Sequence, residues 1–201
     1  MNNLSRKFAP MLLTTVALLF VTACVPQPSR VPAGSVRPEH KPQPKVSAPD
    51  LEQRVHALIN KERQGKGLST LAWDERLSRI ARKHSEDMAK RRYFSHDSPE
   101  GHGFSARYSD AGYVCAVRDG RYIYTGAENI FQNNLFDRII TMNNVKYYDW
   151  NKPEEIAETT VKGWMNSTGH RKNILTPQWG KEGIGVYITP DGKVFITQNF
   201  C

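Results

Sequence analysis

The sequence predicts an α+β domain in which helices come first and an antiparallel hairpin closes the chain. Three observations carry this prediction. Apolar residues recur at helical spacing over 51–59 and again over 77–88. A proline is well placed to open a further helix at 153, and two β-rich runs flank a Pro-Asp-Gly turn near the end.

The first helix is read from Leu51, Val55, Leu58 and Ile59, with Gly65 and Gly67 ending it. A second starts near Trp73 and places Leu77, Ile80, Ala81, His84 and Met88 on one face. Arg76, Arg79, Lys83 and Lys90 occupy its other face, a basic stripe read as solvated surface. A short third helix covers Phe104 to Ala111 and stops at Gly112. Arg118-Asp119-Gly120-Arg121 reads as a turn between strands, and residues 122–130 as a strand. Residues 131–152 hold Phe131, Phe136, Tyr147, Tyr148 and Trp150 among Asn and Asp, and read as a long irregular stretch. Such stretches are uncommon unless functional or loose. Packing of these aromatics against the sheet is favoured over a lid on an apolar or sugar ligand. A fourth helix opens at Pro153, where a missing N–H costs nothing, and runs to about Asn166. The closing hairpin pairs Gly185-Val186-Tyr187-Ile188 with Lys193-Val194-Phe195-Ile196 across Thr189-Pro190-Asp191-Gly192.

Ahead of these elements the composition changes twice. Residues 1–23 contain no acid, carry Arg6 and Lys7, and run through an apolar stretch from Met11 to Val21. That is the pattern of a secretory signal, and the run is too short for a confident membrane span, which needs about 20 apolar residues. Val21-Thr22-Ala23-Cys24 resembles the lipobox of bacterial lipoproteins. The resemblance implies that Cys24 becomes a lipidated N-terminus, held by several acyl chains where one alone is marginal. The plainer reading is an ordinary cleaved signal with a chance cysteine. Residues 25–49 hold seven of the chain's 12 prolines and no large apolar residue beyond four valines. That composition predicts an extended tether. The chain is therefore divided into a signal over 1–23, a lipidated basic tether over 24–49, and one domain over 50–201.

The chain carries 28 basic and 20 acidic side chains, a net charge of +8. Without Arg6 and Lys7 the balance is 26 to 20, and residues 25–49 supply half of the resulting +6. The +3 left on the domain is too even to point to nucleic acid, which an exported protein rarely meets. Beyond Cys24 only Cys115 and Cys201 remain, an even pair in an oxidising compartment, and a disulfide is expected over two separate thiols. A loop this long gives that bond roughly 4 kcal/mol on the chain-entropy account. A bonded Cys115 also excludes a papain-like nucleophile.

Among six histidines, His40 lies in the tether, and surface or packing roles suffice for His56 and His84 on their helices. The informative ones sit in two phrases, Tyr93-Phe94-Ser95-His96 and Gly169-His170-Arg171-Lys172-Asn173-Ile174-Leu175, with Gly126-Ala127-Glu128-Asn129-Ile130 between them. Together with Trp164-Met165-Asn166-Ser167 leading into Gly169-His170, and the Gly183-Ile184-Gly185-Val186 strand after it, these phrases resemble the CAP superfamily. That family joins cysteine-rich secretory proteins, antigen 5 and plant pathogenesis-related proteins with many bacterial members. The resemblance spans roughly 51–200 and implies a three-layer α-β-α sandwich with a central antiparallel sheet. It also implies a cleft in which His96, His170 and Glu128 converge. Many members carry a second glutamate where this chain has Ser167, which puts a mechanism needing two carboxylates in doubt.

The trio admits three readings. Two neutral imidazoles and a carboxylate form a ligand set that zinc or another divalent cation accepts, with a position left for water. Without metal the same groups can act as acid and base, since histidine titrates near operating pH. The third reading is a hydrogen-bonded cluster that orders the cleft, Glu128 fixing an imidazole tautomer. Ser95 and Ser167 stand near the histidines in sequence, but no Gly-x-Ser-x-Gly elbow, His-Glu-x-x-His helix or phosphate-cradling glycine loop occurs. Two functions follow. One is a non-enzymatic module at the cell envelope whose cleft holds a metal or small ligand; the resemblance allows lipid, sterol, cell-wall fragment or protein partner. The other is a hydrolase of peptidase type using His96, Glu128 and His170. Arg171 and Lys172 beside His170 either attract anions or face solvent. Val25 after Cys24, rather than an aspartate, favours the outer membrane over the inner.

Overall fold

Ser47 opens the first helix, α1 (Ala48–Gln64), accepting a hydrogen bond from Asp50 N–H through its hydroxyl, with Pro49 in the first turn. The structure is a computed structural model that describes residues 39–201. The expected signal, Cys24 and the tether as far as residue 38 lie outside the described residues. Helix α1 begins two residues before the expected domain boundary. Ahead of it, Lys41 O accepts from Trp150 Nε1 at 3.0 Å, so the end of the expected tether lies against the domain.

The second helix, α2 (Glu75–Arg91), starts later than the sequence predicts because Asp74 caps it, accepting from the N–H groups of Arg76 and Leu77. Trp73 instead belongs to β1 (Ala72–Trp73). Helix α3 (Phe104–Asp110) is followed by the hairpin β2 (Val117–Asp119) and β3 (Tyr122–Tyr124), whose turn places Gly120 at φ 57°. The strand predicted over 122–130 is interrupted at Gly126, which has φ 111°. A Cβ there would lie 2.7 Å from the Tyr108 ring, so this kink before β4 (Ala127–Asn134) requires glycine.

The stretch predicted to be irregular is regular. Strand β4 continues to Asn134, and β5 (Phe136–Met142) turns back into β6 (Val145–Trp150). Asn143 and Asn144, at φ 50° and 62°, make the two-residue turn. Asparagine tolerates that left-handed backbone, and the geometry suits a hairpin. Phe136, Tyr148 and Trp150 pack together, the last two stacked at 4.6 Å.

Helix α4 (Pro153–Asn166) matches its predicted bounds, and α5 (Thr168–Ile174), which carries His170, follows without a sequence forecast. Strands β7 (Lys181–Ile188) and β8 (Lys193–Phe200) form the expected hairpin. The central sheet runs β1-β7-β8-β4. Its β7–β8 and β8–β4 pairs are antiparallel, but β1 joins β7 in parallel, so the sheet is mixed where the sequence predicts an antiparallel one. A two-residue edge strand carries no alternation from which its direction is readable.

Helices cover both faces of the sheet. On one, α1, α4 and α5 bury Leu51, Val55, Ile59, Ile156, Val161, Trp164 and Ile174 against Ile184, Val186, Ile196 and Phe200. On the other, α2 lies so close to β7 that a Cβ at Gly185 would come within 2.0 Å of Arg82 N. Buried Arg63 fastens α1 to the α5 region: it donates to the carbonyls of Ser69, Ile174 and Thr176 at 2.7–2.9 Å. These carbonyls, with a longer contact to Trp179 O, satisfy a charge that desolvation otherwise penalises. The disulfide joins Cys115 to Cys201, tying the loop before β2 to the chain end.

Candidate functional site

Three elements deliver the predicted trio. His96 comes from the loop between α2 and α3, Glu128 from β4 and His170 from α5. The His96 and His170 rings lie 6.2 Å apart between centroids, tilted by 53°. The Glu128 side chain is 1% exposed and that of His96 49%, so the carboxylate forms the floor and an imidazole the rim. Nδ1–H of His96 donates to Glu128 Oε1 at 3.0 Å, which leaves Nε2 as the free lone pair. Burial, followed by the neighbouring His96, holds His170 below the ordinary histidine pKa, favouring its neutral form.

A residue with no sequence signal completes the arrangement. Arg107, on α3, donates from Nη2 to Glu128 Oε2 at 2.6 Å and from Nη1 to the carbonyls of His96 and His102 at 3.0 and 2.8 Å. One guanidinium therefore fixes both the carboxylate and the backbone that carries His96. His84 is the second residue missed. Its side chain is 1% exposed, its Nε2–H donates to Ser95 O at 3.1 Å, and Nε2 lies 3.9 Å from Glu128 Oε1. Desolvation pushes its pKa down despite the attraction of Glu128.

Asparagines inside the recognised phrases hold the other half. Asn173 donates to Glu128 O at 3.1 Å and to Asn129 Oδ1 at 2.9 Å. Asn129 donates to His170 O and to Gln198 Oε1, and Gln198 donates to Glu182, buried beside His56. Burial raises the Glu182 pKa against the hydrogen bonds from His56 and Gln198. Ser167 sits at the break between α4 and α5, and its hydroxyl bonds none of the trio. Arg171 donates to Met165 O at 2.7 Å and so closes the end of α4, while Lys172 is exposed.

The resulting cleft, about 550 Å³, is lined by His96, Asp97, Phe104, Ser105, Glu128 and Asn173 together with small residues. Among the described residues no three His, Cys, Asp or Glu side chains are arranged to hold a metal ion. The geometry explains this: both Glu128 oxygens already accept from His96 and Arg107, and the guanidinium repels a cation at that spot. The predicted three-residue ligand set is thus not preassembled.

A model of the cysteine-rich secretory protein family, CAP, matches residues 56–200. The uncharacterized protein YkwD of Bacillus subtilis is 35% identical over 158 residues, 78% of this chain and 50% of that protein. The uncharacterized membrane protein YlbC of the same organism is 32% identical over 149 residues, 74% of this chain and 34% of that protein. The chain spans half or less of the length of these curated relatives. An extracellular protein containing a SCP domain from Bacillus anthracis superposes with a TM-score of 0.56 at 30% identity, over 76% of this chain and 40% of that one. An outer surface protein from Borrelia burgdorferi gives 0.57 at 15% identity, over 79% of this chain and 97% of that one, a likeness of fold alone. Matched by the family model over residues 56–200, which include every phrase that builds the cleft, the chain belongs to the cysteine-rich secretory protein (CAP) family.

Proposed function

We propose that this chain displays a non-enzymatic recognition module at the cell envelope, held at the outer membrane by lipid on Cys24. Its cleft takes a small polar ligand of the cell-wall-fragment class. The observation that carries this reading is the engagement of Glu128. Its two oxygens are committed to His96 and Arg107, so it orients the imidazole instead of acting on substrate. No serine, threonine or cysteine side chain bonds either imidazole among the described residues, which leaves no activated nucleophile. Beside Glu128 the cleft is lined by His96, Asp97, Ser105, Asn173 and Phe104, a few polar groups beside one aromatic residue. The signal-like leader, the disulfide and the extracellular description of the Bacillus anthracis relative support the location.

A divalent cation such as zinc is the second reading, favoured by the His96–His170 pairing. The residues fit it in one way only. Each imidazole supplies a nitrogen, while Glu128 stands behind His96 as the carboxylate that fixes its tautomer. Bound there, such an ion would polarise a ligand oxygen or acidify a water. Calorimetry of the protein with soluble cell-wall fragments, and separately with zinc, tests both. Fragment binding is expected to be lost in His96→Ala, and zinc binding in both His96→Ala and His170→Ala. Unchanged binding in both variants removes the cleft as the site. Peptide cleavage by the parent that disappears in His96→Ala replaces this reading with the hydrolase.

A further inference from the structure

Helix α2 carries six basic side chains, and the structure divides them sharply. Arg82 is ion-paired with Glu52 and Glu75, Lys90 with Glu86, and Arg91 with Asp87 and Glu100. Arg76, Arg79 and Lys83 have no acidic partner among the described residues, and all three line one cavity of about 380 Å³ between α2 and α3. Arg76 is held in place by donating to Gly112 O at 2.9 Å and by lying over the Tyr113 ring. Arg107 lines the same cavity from α3, with its Nε buried and unpartnered. Asp110 is the one carboxylate on the rim and forms no ion pair with any of the four. Ile80 and Ala111 supply an apolar floor.

Like charges three and four residues apart on a helix are unfavourable unless something offsets them. Elsewhere on α2 acids do so, and over the cavity no ion pair does among the described residues. We propose that this cavity is a binding site for an organic phosphate. A phosphate group carries about −1.5 to −2 charge at pH 7 and three acceptor oxygens, enough to engage several cations at once. Guanidinium forks match its geometry. A carboxylate brings half that charge, and the floor of Ile80 and Ala111 receives the organic part. The phosphate is either a lipid headgroup, within reach of an envelope-anchored domain, or a soluble ester. The basic stripe is in this account a site, where the sequence reads it as solvated surface.

Calorimetric titration with butyl phosphate, inorganic phosphate and butyrate, paired with co-sedimentation on phosphatidylcholine vesicles with or without phosphatidic acid, tests the proposal. Butyl phosphate is expected to bind most tightly and butyrate most weakly. The Arg79→Gln/Lys83→Gln variant, altered only at exposed positions, is expected to keep its melting temperature and to lose about tenfold or more in affinity. Retention on phosphatidic acid vesicles assigns the lipid source. Butyl phosphate binding without vesicle retention assigns the soluble one, and the site stands in both cases. Equal affinity in parent and double variant, or no binding of any phosphate probe, overturns it.

Discussion

Arg107 and Glu128 decide what the cleft is able to do, and their energetics are those of a buried pair. Removing Arg107 leaves the buried carboxylate with only the His96 hydrogen bond and no full counter-charge, a loss of about 3–5 kcal/mol. Arg107→Ala is therefore expected to lower stability by about that amount in urea unfolding, and to release the His96 loop whose carbonyl it holds. A loss below about 1 kcal/mol would mean that Glu128 finds water instead. His84 adds a pH dependence at the same scale. Its folded pKa lies below the ordinary 6.5 because burial penalises the cation. Below that value the unfolded chain binds more protons than the native one, so stability falls as pH drops through about 6.5. His170 acts in the same direction, whereas Glu182, with its raised pKa, weakens the fold as pH climbs above the ordinary 4.5. Comparing the parent with His84→Gln isolates the first effect: the variant should lose less stability between about pH 7.5 and about pH 5. Equal losses would contradict it. None of this is legible in the sequence, since Arg107, His84 and Glu128 meet only through packing of a loop, two helices and a strand.

At the scale of elements, the long periodic segments were readable, and among the short ones α3 was, through the Gly112 that stops it, while α5 and the β5–β6 hairpin were not. Helices α1, α2 and α4 each bury a repeating apolar face, and the β7–β8 turn announces itself through Pro190-Asp191-Gly192. Helix α5 spans only seven residues, too few for periodicity, although the phrase containing His170 and Asn173 marks its place. The β5–β6 hairpin was hidden because its turn is Asn-Asn, without the usual glycine. Its exposed Ile139, Ile140 and Val145 also blur the alternation of a half-buried strand. The disulfide belongs here too. It closes a loop with a sequence separation of 86 residues, for which the chain-entropy account gives about 4–5 kcal/mol. Alkylation before reduction should label neither Cys115 nor Cys201, and the Cys115→Ala/Cys201→Ala variant should unfold at lower urea by about 2–5 kcal/mol of stability. Two labelled thiols in the unreduced protein would refute the bond.

For the whole molecule, the family was legible because its phrases coincide with the residues that build the cleft. Glu128, Asn129, His170 and Asn173 are joined in one hydrogen-bond network. The anchor proposed for Cys24 makes a separate prediction. Labelled palmitate should be incorporated into the parent and membrane retention observed, with both lost in Cys24→Ala. Incorporation that persists in the variant would place the lipid elsewhere. Whether Glu128 orients His96 and is itself unavailable is read out by a crystal structure of the protein soaked with zinc and a cell-wall fragment. The predicted result is density against His96 Nε2, shared with His170 where zinc enters, while Arg107 stays bonded to Glu128. A zinc ion ligated by Glu128, with Arg107 swung away, would contradict it.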